Sequence, residues 1–341
     1  MVGLKIGLDI GTGFVTAAVE GKGVVLCEPA AIAVERETGI VLEAGAKAAE
    51  MTGRCPDAIK LVKPILSGGV SELENTEKLL KVFIERICKN KVFKPTIVAT
   101  MPVGLTNLEK RNILGCILRA GAGRATLIEE PLAAALGIGV MLDKPYGTMI
   151  VDVGAGTTSV AVVTMGSIAV AKSVPVGGND MDRIIKTYIK ANKGVAVGRL
   201  TANELKHILG GAKMRDETIA AVAKGKGMSD GMPQFFEVTA QEINYAIRDT
   251  IDEICRAVTN VLEITPPELV KDITDDGIFL CGGLSNLYGI DKYIEEATGI
   301  KVKIPGNRTD AAALGCLRAL SEENYLKQNS YHMVTLDTLN L

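Results

Sequence analysis

Two short stretches of the sequence each join an aspartate to a glycine turn. LDIGTG covers residues 8–13 and VDVGAG covers residues 151–156, and in each an aspartate, Asp9 or Asp152, closes an apolar run before Gly-x-Gly. Glycines let the backbone approach a ligand closely, and successive N–H groups in such a turn form a nest suited to phosphate. Two carboxylates beside phosphates are natural ligands for hydrated Mg²⁺. The pair of turns therefore predicts a polyphosphate and Mg²⁺ site gripped from both sides.

Two further stretches offer groups that fit the same ligand. GIFLCGGLSN predicts a strand that ends at Gly282 and Gly283, where a flat adenine ring can lie on bare backbone; an ordinary tight turn is the alternative. VGGND predicts the start of a helix, with Asn179 or Asp180 as its N-cap and a position that can face ribose or phosphate.

A pair of acids gives a candidate for catalysis. In IEEPLAAALG, Glu129 and Glu130 directly precede a predicted helix, with Pro131 placed for its first position. One of these carboxylates could orient a water for attack on a γ-phosphate. The alternative is that both acids only complement the helix dipole. Other phosphate motifs are missing, since the sequence has no GxxxxGK[ST] and GTGFVT lacks the third glycine of GxGxxG.

Composition and charge exclude several functions. Net charge is −2 with no polybasic run, which argues against nucleic acid as a partner. Two histidines are too few for a His-based zinc site, and seven cysteines without a CxxC pair indicate buried free thiols of a cytosolic protein. No apolar stretch is long enough to span a membrane and no signal peptide opens the chain, so we expect a soluble, cytoplasmic protein.

The elements around the turns repeat along the chain. Each turn lies between two strand-like runs, so each half opens with strand, Asp-x-Gly-x-Gly, strand. Two halves of similar build, each presenting one turn, predict a cleft between them. The sequence also predicts helices at 75–88, 106–120, 179–192, 201–210, 239–265 and 309–320, and strands at 95–100, 125–128 and 277–281.

These motifs, together with AGAKAAEMTGRCP, LEITPPEL and VPVGGNDMD, resemble the actin superfamily of ATPases and, within it, the bacterial MreB family. The resemblance runs from about residue 4 to residue 320. It implies an α/β fold that is actin-like (ribonuclease H-like), duplicated and bilobal, with a central nucleotide cleft. The implied layout is a first lobe at 1–140 with an insertion at about 30–70, a second lobe at 141–310 with a helical and hairpin subdomain at about 179–245, a returning helix at 311–330, and a polar tail at 331–341.

The resemblance also implies roles for single residues. Glu130 would be the catalytic glutamate, Thr157 would help to place the attacking water, and Asp9 and Asp152 would hold Mg²⁺ largely through water. The cofactor would be ATP or ADP, and turnover would be slow and coupled to assembly. The residues expected to contact the nucleotide are Gly11, Thr12, Gly13, Phe14, Gly154, Ala155, Gly156, Thr158, Gly177, Gly178, Asn179, Asn203, Lys206, Gly282 and Gly283.

The chain departs from the family pattern at three places, of which the smallest is Ala155 in GAG, where the family shows GGG. GTGFV stands where the family usually shows GTANT, so Phe14 and Val15 replace side-chain donors while backbone donation survives. The Glu-x-x-Lys of the nucleotide-facing helix is replaced by Asn203 and Lys206, and Asn can still hydrogen-bond a ribose hydroxyl.

Membrane contact is a further trait that the resemblance implies. The chain starts in a strand-like run, so we expect no N-terminal amphipathic helix. VFKP matches the position of an apolar membrane loop, and Val92 and Phe93, flanked by lysines, would enter an anionic lipid surface. The alternative is that this loop folds onto the core.

Several functions follow from this reading. The first is a filament protein, self-associating as paired protofilaments at the inner face of the cytoplasmic membrane, which works with membrane proteins of cell-wall elongation and sets rod shape. The second is a chaperone-like or reactivating ATPase acting on a client protein. A sugar kinase fits poorly, because Glu130 is placed for water rather than for a sugar hydroxyl. A scaffold without ATPase activity remains open because of Phe14 and Asn203.

Overall fold

The structure is a computed structural model that describes residues 3–66, 69–89, 91–142, 144–215, 218–328, 331 and 333–339. Its strands, in chain order, are β1 (Lys5–Ile10), β2 (Phe14–Val19), β3 (Gly23–Pro29), β4 (Ile32–Glu35), β5 (Val41–Ala44), β6 (Ile59–Val62), β7 (Ile65–Leu66), β8 (Gly69–Val70), β9 (Thr96–Met101), β10 (Arg124–Glu129), β11 (Thr148–Val153), β12 (Thr158–Thr164), β13 (Ser167–Val174), β14 (Val195–Ala196), β15 (Ala220–Gly227), β16 (Pro233–Thr239), β17 (Ile278–Cys281) and β18 (Val302–Lys303). The helices are α1 (Ala46–Glu50), α2 (Leu73–Ile87), α3 (Asn107–Arg119), α4 (Glu130–Ile138), α5 (Gly178–Lys193), α6 (Arg199–Leu209), α7 (Ala240–Glu263), α8 (Pro267–Asp276), α9 (Ile290–Thr298), α10 (Ala311–Ser321) and α11 (Glu323–Gln328).

Two mixed sheets with the same topology form the frame of the molecule. The first has the order β10-β9-β1-β2-β3 and the second the order β13-β12-β11-β17-β18. In each sheet the central strand, β1 or β11, pairs antiparallel with the strand that follows it and parallel with a later strand. The duplicated α/β architecture expected from the repeated turns is therefore confirmed.

The sheets place the two aspartates at equivalent positions. Asp9 pairs with Thr16 between β1 and β2, and Asp152 pairs with Ser159 between β11 and β12. The connecting turns close in the same way, because the N–H of Gly11 donates to the carbonyl of Phe14 at 3.0 Å and that of Gly154 to Thr157 at 2.8 Å. Phe14 and Thr157 are thus structural equivalents. Below, the "first turn" is residues 9–14 and the "second turn" is residues 152–157.

Helices α4 and α10 join the two sheets through a close crossing. A Cβ on Gly137 would lie 1.8 Å from the carbonyl oxygen of Ala311, and one on Gly315 would lie 1.6 Å from that of Ala133, so the backbones touch. Helix α10, from the second half of the chain, lies on β1 and β9 of the first sheet, and α4, from the first half, packs against β11 and β12. A shared core therefore lies between the sheets, with residues from both of them and from both helices.

Smaller elements extend each sheet. Strands β4, β5 and β6 form a separate sheet near α1, and β14, β15 and β16 form another beside α5 and α6. The long amphipathic helix α7 buries one face against the second sheet and begins at a capping box of Thr239 and Glu242. None of the described helices is both long enough and apolar enough to cross a membrane.

The structure corrects some predictions about the elements. Helix α4 begins one residue earlier than expected, so Pro131 is at its second position and Glu130 at its first. The sequence reading missed α8, α9 and β18, which are short. All seven cysteines are free, but the prediction that they are buried holds for Cys116, Cys255, Cys281 and Cys316 and is wrong for Cys27, which is exposed.

The prediction of a polar surface tail is wrong where the C-terminus packs on the first lobe, although Leu336, Asp337 and Thr338 are exposed. Leu326, Tyr331 and Met333 are buried, and Val334 forms a two-way backbone bridge with Leu127 of β10. The apolar residues of this segment lack the regular period that would predict a buried element, but the open edge of β10 offers backbone hydrogen bonds. Asn329, Ser330, His332, Asn340 and Leu341 lie outside the described residues.

Candidate functional site

The first and second turns face each other and are in direct contact. A Cβ placed on Gly13 would lie 2.7 Å from the Cβ of Ala155, and one placed on Gly156 would lie 2.7 Å from Cγ2 of Thr12. Both glycines are therefore required by this close approach, since any side chain would push the turns apart. The facing arrangement predicted from the repeat is present.

Asp9 and Asp152 bring two carboxylates into a buried setting. The hydroxyl of Thr100 on β9 donates to Asp9 at 2.8 Å and accepts from the N–H of Ile10 at 3.0 Å. Burial, with a further contribution from Asp310, raises the pKa of Asp9 to about 6 against the opposing Thr100 hydrogen bond. Burial, followed by repulsion from Asp9, raises the pKa of Asp152 to about 7. A cation between them would favour the charged form of both.

Glu130 completes this acidic group. It is the first residue of α4, and the hydroxyl of Ser159 on β12 donates to its Oε2 at 2.9 Å. Burial, then the charges of Asp152 and Asp9, raises the pKa of Glu130 well above its ordinary value. Carboxylates with raised pKa values in a cleft are candidates for proton transfer and cation binding.

The donor set fits hydrated Mg²⁺ rather than a directly coordinated metal. Within the described ranges, no three Asp, Glu, His or Cys side chains are close enough to hold a metal ion by themselves. Asp9 and Asp152 instead repel each other while buried, which is the condition that a cation with its own water shell relieves. Binding of Mg²⁺ through water remains a prediction.

The glycines at the start of α5 support the second turn from behind. The N–H of Gly178 donates to the carbonyl of Gly154 at 3.1 Å and that of Asn179 to Ala155 at 2.7 Å. A Cβ on Gly177 would lie 2.6 Å from the carbonyl oxygen of Gly154, so this approach also requires glycine. These N–H groups are therefore used within the protein rather than offered to a ligand.

The cap of α5 differs from the prediction that Asn179 or Asp180 would be the N-cap. The helix begins at Gly178 with Gly177 as its N-cap, and the Asp180 carboxylate reaches back to accept from the N–H of Gly177 at 3.1 Å. Asp180 thus acts from the third helical position, as in the second half of a capping box.

Asn203 and Lys206 both turn to Asp182, a residue that the sequence reading did not single out. Lys206 Nζ lies 2.7 Å from Asp182 Oδ1 in a pair whose side chains are almost fully buried, and it donates to the carbonyl of Gly178 at 3.0 Å. The Asn203 amide lies 3.3 Å from the same carboxylate. These side chains hold α5 and α6 together behind the second turn, and their contact with the nucleotide remains a prediction.

The side chains that follow the two turns differ in exposure. Thr12 and Thr157 are mostly buried, whereas Phe14 is 53% exposed. Thr158 is fully buried, and its hydroxyl donates to the carbonyl of Val176 at 2.8 Å. The side chain of Thr158 is thus used within the second lobe, and contact of this residue with the nucleotide remains a prediction.

Gly282 and Gly283 take different parts in the site. Gly282 has a φ of +85°, and a Cβ there would lie 2.4 Å from Oδ1 of Asp152, so its conformation and the close carboxylate both require glycine. Gly283 has open space around it and begins a short 3₁₀ turn. The open space at Gly283 can accommodate a flat adenine ring, whereas the missing side chain of Gly282 accommodates the carboxylate of Asp152.

The predicted membrane loop lies between α2 and β9. Val92 is 91% exposed and Phe93 is 49% exposed. The alternative that this loop folds onto the core is therefore wrong for Val92. Contact with lipid remains a prediction.

Four residues that complete the site were missed from the sequence. These are Thr100 beside Asp9, Ser159 beside Glu130, Asp310 near Asp9, and Asp182 beside Lys206. Ser159 could have been found, since it follows the second turn within the same motif. The others come from distant strands and helices without a local signal.

Comparison with known proteins gives one consistent result. A family model described as MreB/Mbl protein matches residues 3–328. The cell shape-determining protein Mbl of Bacillus cereus is 37% identical over 320 residues, covering 92% of this chain and 95% of that protein. The cell shape-determining protein MreB of Escherichia coli is 35% identical over 321 residues, covering 92% of each chain.

Solved structures agree with this family match. The crystal structure of MreB5 of Spiroplasma citri bound to ADP has a TM-score of 0.89 at 30% identity, covering 96% of this chain and 98% of that chain. A second structure of the same protein is bound to AMPPNP, with a TM-score of 0.88. The MamK double helical filament, at 19% identity and a TM-score of 0.80, shows a shared fold.

Proposed function

This chain belongs to the MreB/Mbl family and has the actin-like fold, and on that premise we propose that it is a cytoskeletal protein that binds Mg-ATP, hydrolyses it slowly and polymerises into filaments. The observation that carries the proposal is the pair of facing turns together with three carboxylates, Asp9, Asp152 and Glu130, whose charges repel one another. The ADP and AMPPNP bound to the MreB5 structures support a nucleotide in the equivalent cleft.

The residues of the cleft divide the work as follows. Backbone N–H groups of the first and second turns bind phosphate oxygens, and Asp9 and Asp152 hold Mg²⁺ largely through its water shell. When bound, Mg²⁺ would supply positive charge that offsets the negative charge of the phosphates. Glu130, held by Ser159, orients the attacking water and accepts its proton, and Thr157 helps to place that water. Catalysis is then positioning together with electrostatic stabilisation, as in phosphoryl transfer generally.

Self-assembly is tested by sedimentation of the purified protein with Mg-ATP, with Mg-ADP and without nucleotide, followed by negative-stain imaging of the pellet. We expect nucleotide-dependent filaments, built as paired protofilaments. A protein that stays in the supernatant while it releases phosphate would contradict the filament proposal. That result would favour the client-binding ATPase of the same fold.

We also propose that the filaments lie at the inner face of the cytoplasmic membrane and organise cell-wall synthesis and rod shape together with membrane proteins of elongation. The exposure of Val92 and Phe93 supports lipid contact, since two adjacent exposed apolar side chains flanked by lysines suit an anionic surface. Co-sedimentation with anionic liposomes should fall when both residues are changed to Ser. A matched double change of exposed Val222 and Phe235 to Ser is the control.

A further inference from the structure

The C-terminal segment, defined here as Tyr331 and residues 333–339, lies beyond the range that the family model matches, which ends at residue 328. It packs on the first lobe. The N–H of Leu127 donates to the carbonyl of Val334 at 2.8 Å, and the N–H of Val334 donates back at 2.9 Å. Arg111 of α3 hydrogen-bonds the carbonyl of Leu339 at the far end. The segment therefore adds to the outer edge of β10.

Strand β10 leads directly into the proposed catalytic corner. It ends at Glu129, which is the N-cap residue of α4, and Glu130 is the next residue. The side chain of Glu129 makes no capping hydrogen bond to α4. The direction of the Glu130 side chain depends on the backbone conformation at Glu129. A contact that fixes the position of Glu129 therefore also restricts the orientation of Glu130.

Tyr331 holds Glu129 at two atoms. Its hydroxyl accepts from the N–H of Glu129 at 3.2 Å and donates to Oε2 of the same residue. The ring is 9% exposed and packs in the core that contains Leu132 and Leu136 of α4. Burial, then the charge of Glu129, raises the pKa of Tyr331 well above its ordinary value, so the phenol stays a donor.

We propose that Tyr331 is a positioning residue for hydrolysis, through which the C-terminal segment fixes the Glu129–Glu130 corner and thereby the water-orienting carboxylate. The proposal rests on the proposed ATPase function of Glu130. A misplacement of about 1 Å at a catalytic group can cost about 100-fold in rate. Loss of one hydroxyl contact behind the corner should act more weakly than that and should leave nucleotide binding intact.

The test compares Tyr331→Phe with Tyr293→Phe. Tyr293 is a matched control, because its hydroxyl also hydrogen-bonds a carboxylate, that of Asp252, in the second lobe. Phosphate release is measured per pelleted protein, so that altered polymerisation does not enter, and both kcat and the KM for ATP are determined. We expect Tyr331→Phe to lower kcat about 10-fold with KM and Tm unchanged. Tyr293→Phe should match the wild type.

Two further measurements distinguish the effect of the Tyr331–Glu129 contact on the local structure from its effect on ATP hydrolysis. Glu129→Gln alone and combined with Tyr331→Phe should lower kcat by amounts that do not multiply, because both changes break the same contact. Hydrogen exchange of segment 127–132, without nucleotide, should be faster in Tyr331→Phe than in Tyr293→Phe.

The outcomes are distinct. An unchanged kcat in Tyr331→Phe, or a fall matched by an equal loss of affinity or Tm, overturns the proposal. If wild type and Glu130→Ala release phosphate equally, the proposed function fails instead. In that case, equal hydrogen exchange of residues 127–132 in Tyr331→Phe and Tyr293→Phe still overturns the role of the Tyr331 contact. Faster exchange in Tyr331→Phe supports a structural role of this contact in holding Glu129 and Glu130.

Discussion

The first and second turns have the same backbone closure and the same aspartate register, but they differ in what surrounds them. In the first turn the position after the second glycine is Phe14, half exposed, and in the second it is Thr157, which is mostly buried. The residue that pairs with the aspartate is Thr16 in the first lobe and Ser159 in the second. The hydroxyl of Thr16 faces the sulfur of Cys27, whereas that of Ser159 donates to Glu130.

The supports of the two turns differ as well. The first turn accepts a backbone hydrogen bond from the start of the next loop, where the N–H of Ala30 donates to the carbonyl of Gly13 at 2.9 Å. The second is backed by the glycines at the start of α5 and by the buried pair of Lys206 and Asp182. Duplication thus produced two similar phosphate-binding turns, but the residues that contact the proposed catalytic carboxylate come from the second lobe.

The largest effect is expected at Glu130, whose carboxylate accepts a hydrogen bond from Ser159 of the second lobe. Glu130→Gln removes the proton acceptor, so phosphate release should fall by about 10²–10⁴-fold while ATP affinity stays within about 2-fold. Single-turnover phosphate release and nucleotide titration check this. The control is Glu20→Gln, a surface carboxylate of the first lobe paired with Lys5. Equal rates for Glu130→Gln and wild type would contradict the assignment of Glu130.

The buried pair behind the second turn should matter for stability. Lys206→Met leaves Asp182 buried without its partner, so the free energy of unfolding should fall by about 3–5 kcal/mol. Lys193→Met is the matched control, because Lys193 pairs with Glu242 nearer the surface and should cost less than about 1 kcal/mol. Urea denaturation measures both. Similar losses in the two variants would show that the Lys206 pair is not a special support.

The pH dependence of the ligand-free protein should report the acidic cleft. The pKa values of Asp9 and Asp152 are raised from 3.8 to about 6 and about 7, so the folded state holds more protons than the unfolded state between these values. Stability should therefore fall as pH rises from about 4 to about 7. Asp152→Asn mimics the neutral form, and at pH 8 its Tm should exceed that of the wild type by about 2–4 °C.

The excess in Tm should disappear near pH 3, well below 3.8, where Asp152 is mostly neutral in both folded and unfolded wild-type protein. The control is the exposed Asp57→Asn, which should leave the Tm unchanged across the range. A Tm difference for Asp152→Asn that does not vary with pH would contradict the proposed charge crowding.

The smallest effect is expected at Phe14, where the change makes the first turn like the second. Phe14→Thr removes a half-exposed ring, so the free energy of unfolding should change by less than about 0.5 kcal/mol. The added hydroxyl should tighten ATP binding by about 2–10-fold, the range for one hydrogen bond. Phe235→Thr, at an exposed ring of β16, is the control for both measurements. Weaker ATP binding would show that the Phe14 ring itself contacts the nucleotide.

The sequence was sufficient to locate the turns because their chemistry is local. Asp9, Gly11 and Gly13 lie within one hairpin, and the same pattern at Asp152 revealed the duplicated α/β fold. Helices with a regular apolar face, such as α2, were found for the same reason.

The supports of the site could not be found in this way. Thr100 reaches Asp9 from a strand about 90 positions away, and Asp182 meets Lys206 only because α5 and α6 pack together. Thr158 and Ser159 are successive residues of β12, so their side chains point to opposite faces of the sheet, and it is Ser159 that contacts Glu130. The packing of the C-terminal segment was not predicted because its apolar residues show no regular period. Their position is set by pairing with the edge strand β10, which is distant in sequence.

The crossing of α4 and α10 has a consequence for synthesis of the chain. Strands β1, β2 and β9 are made early, but the helix that covers one of their faces, α10, begins only at Ala311. The first lobe therefore starts to form first and can be completed only when nearly all of the chain has left the ribosome. Until then an apolar sheet face stays uncovered, which is the kind of surface that favours aggregation or chaperone binding during translation.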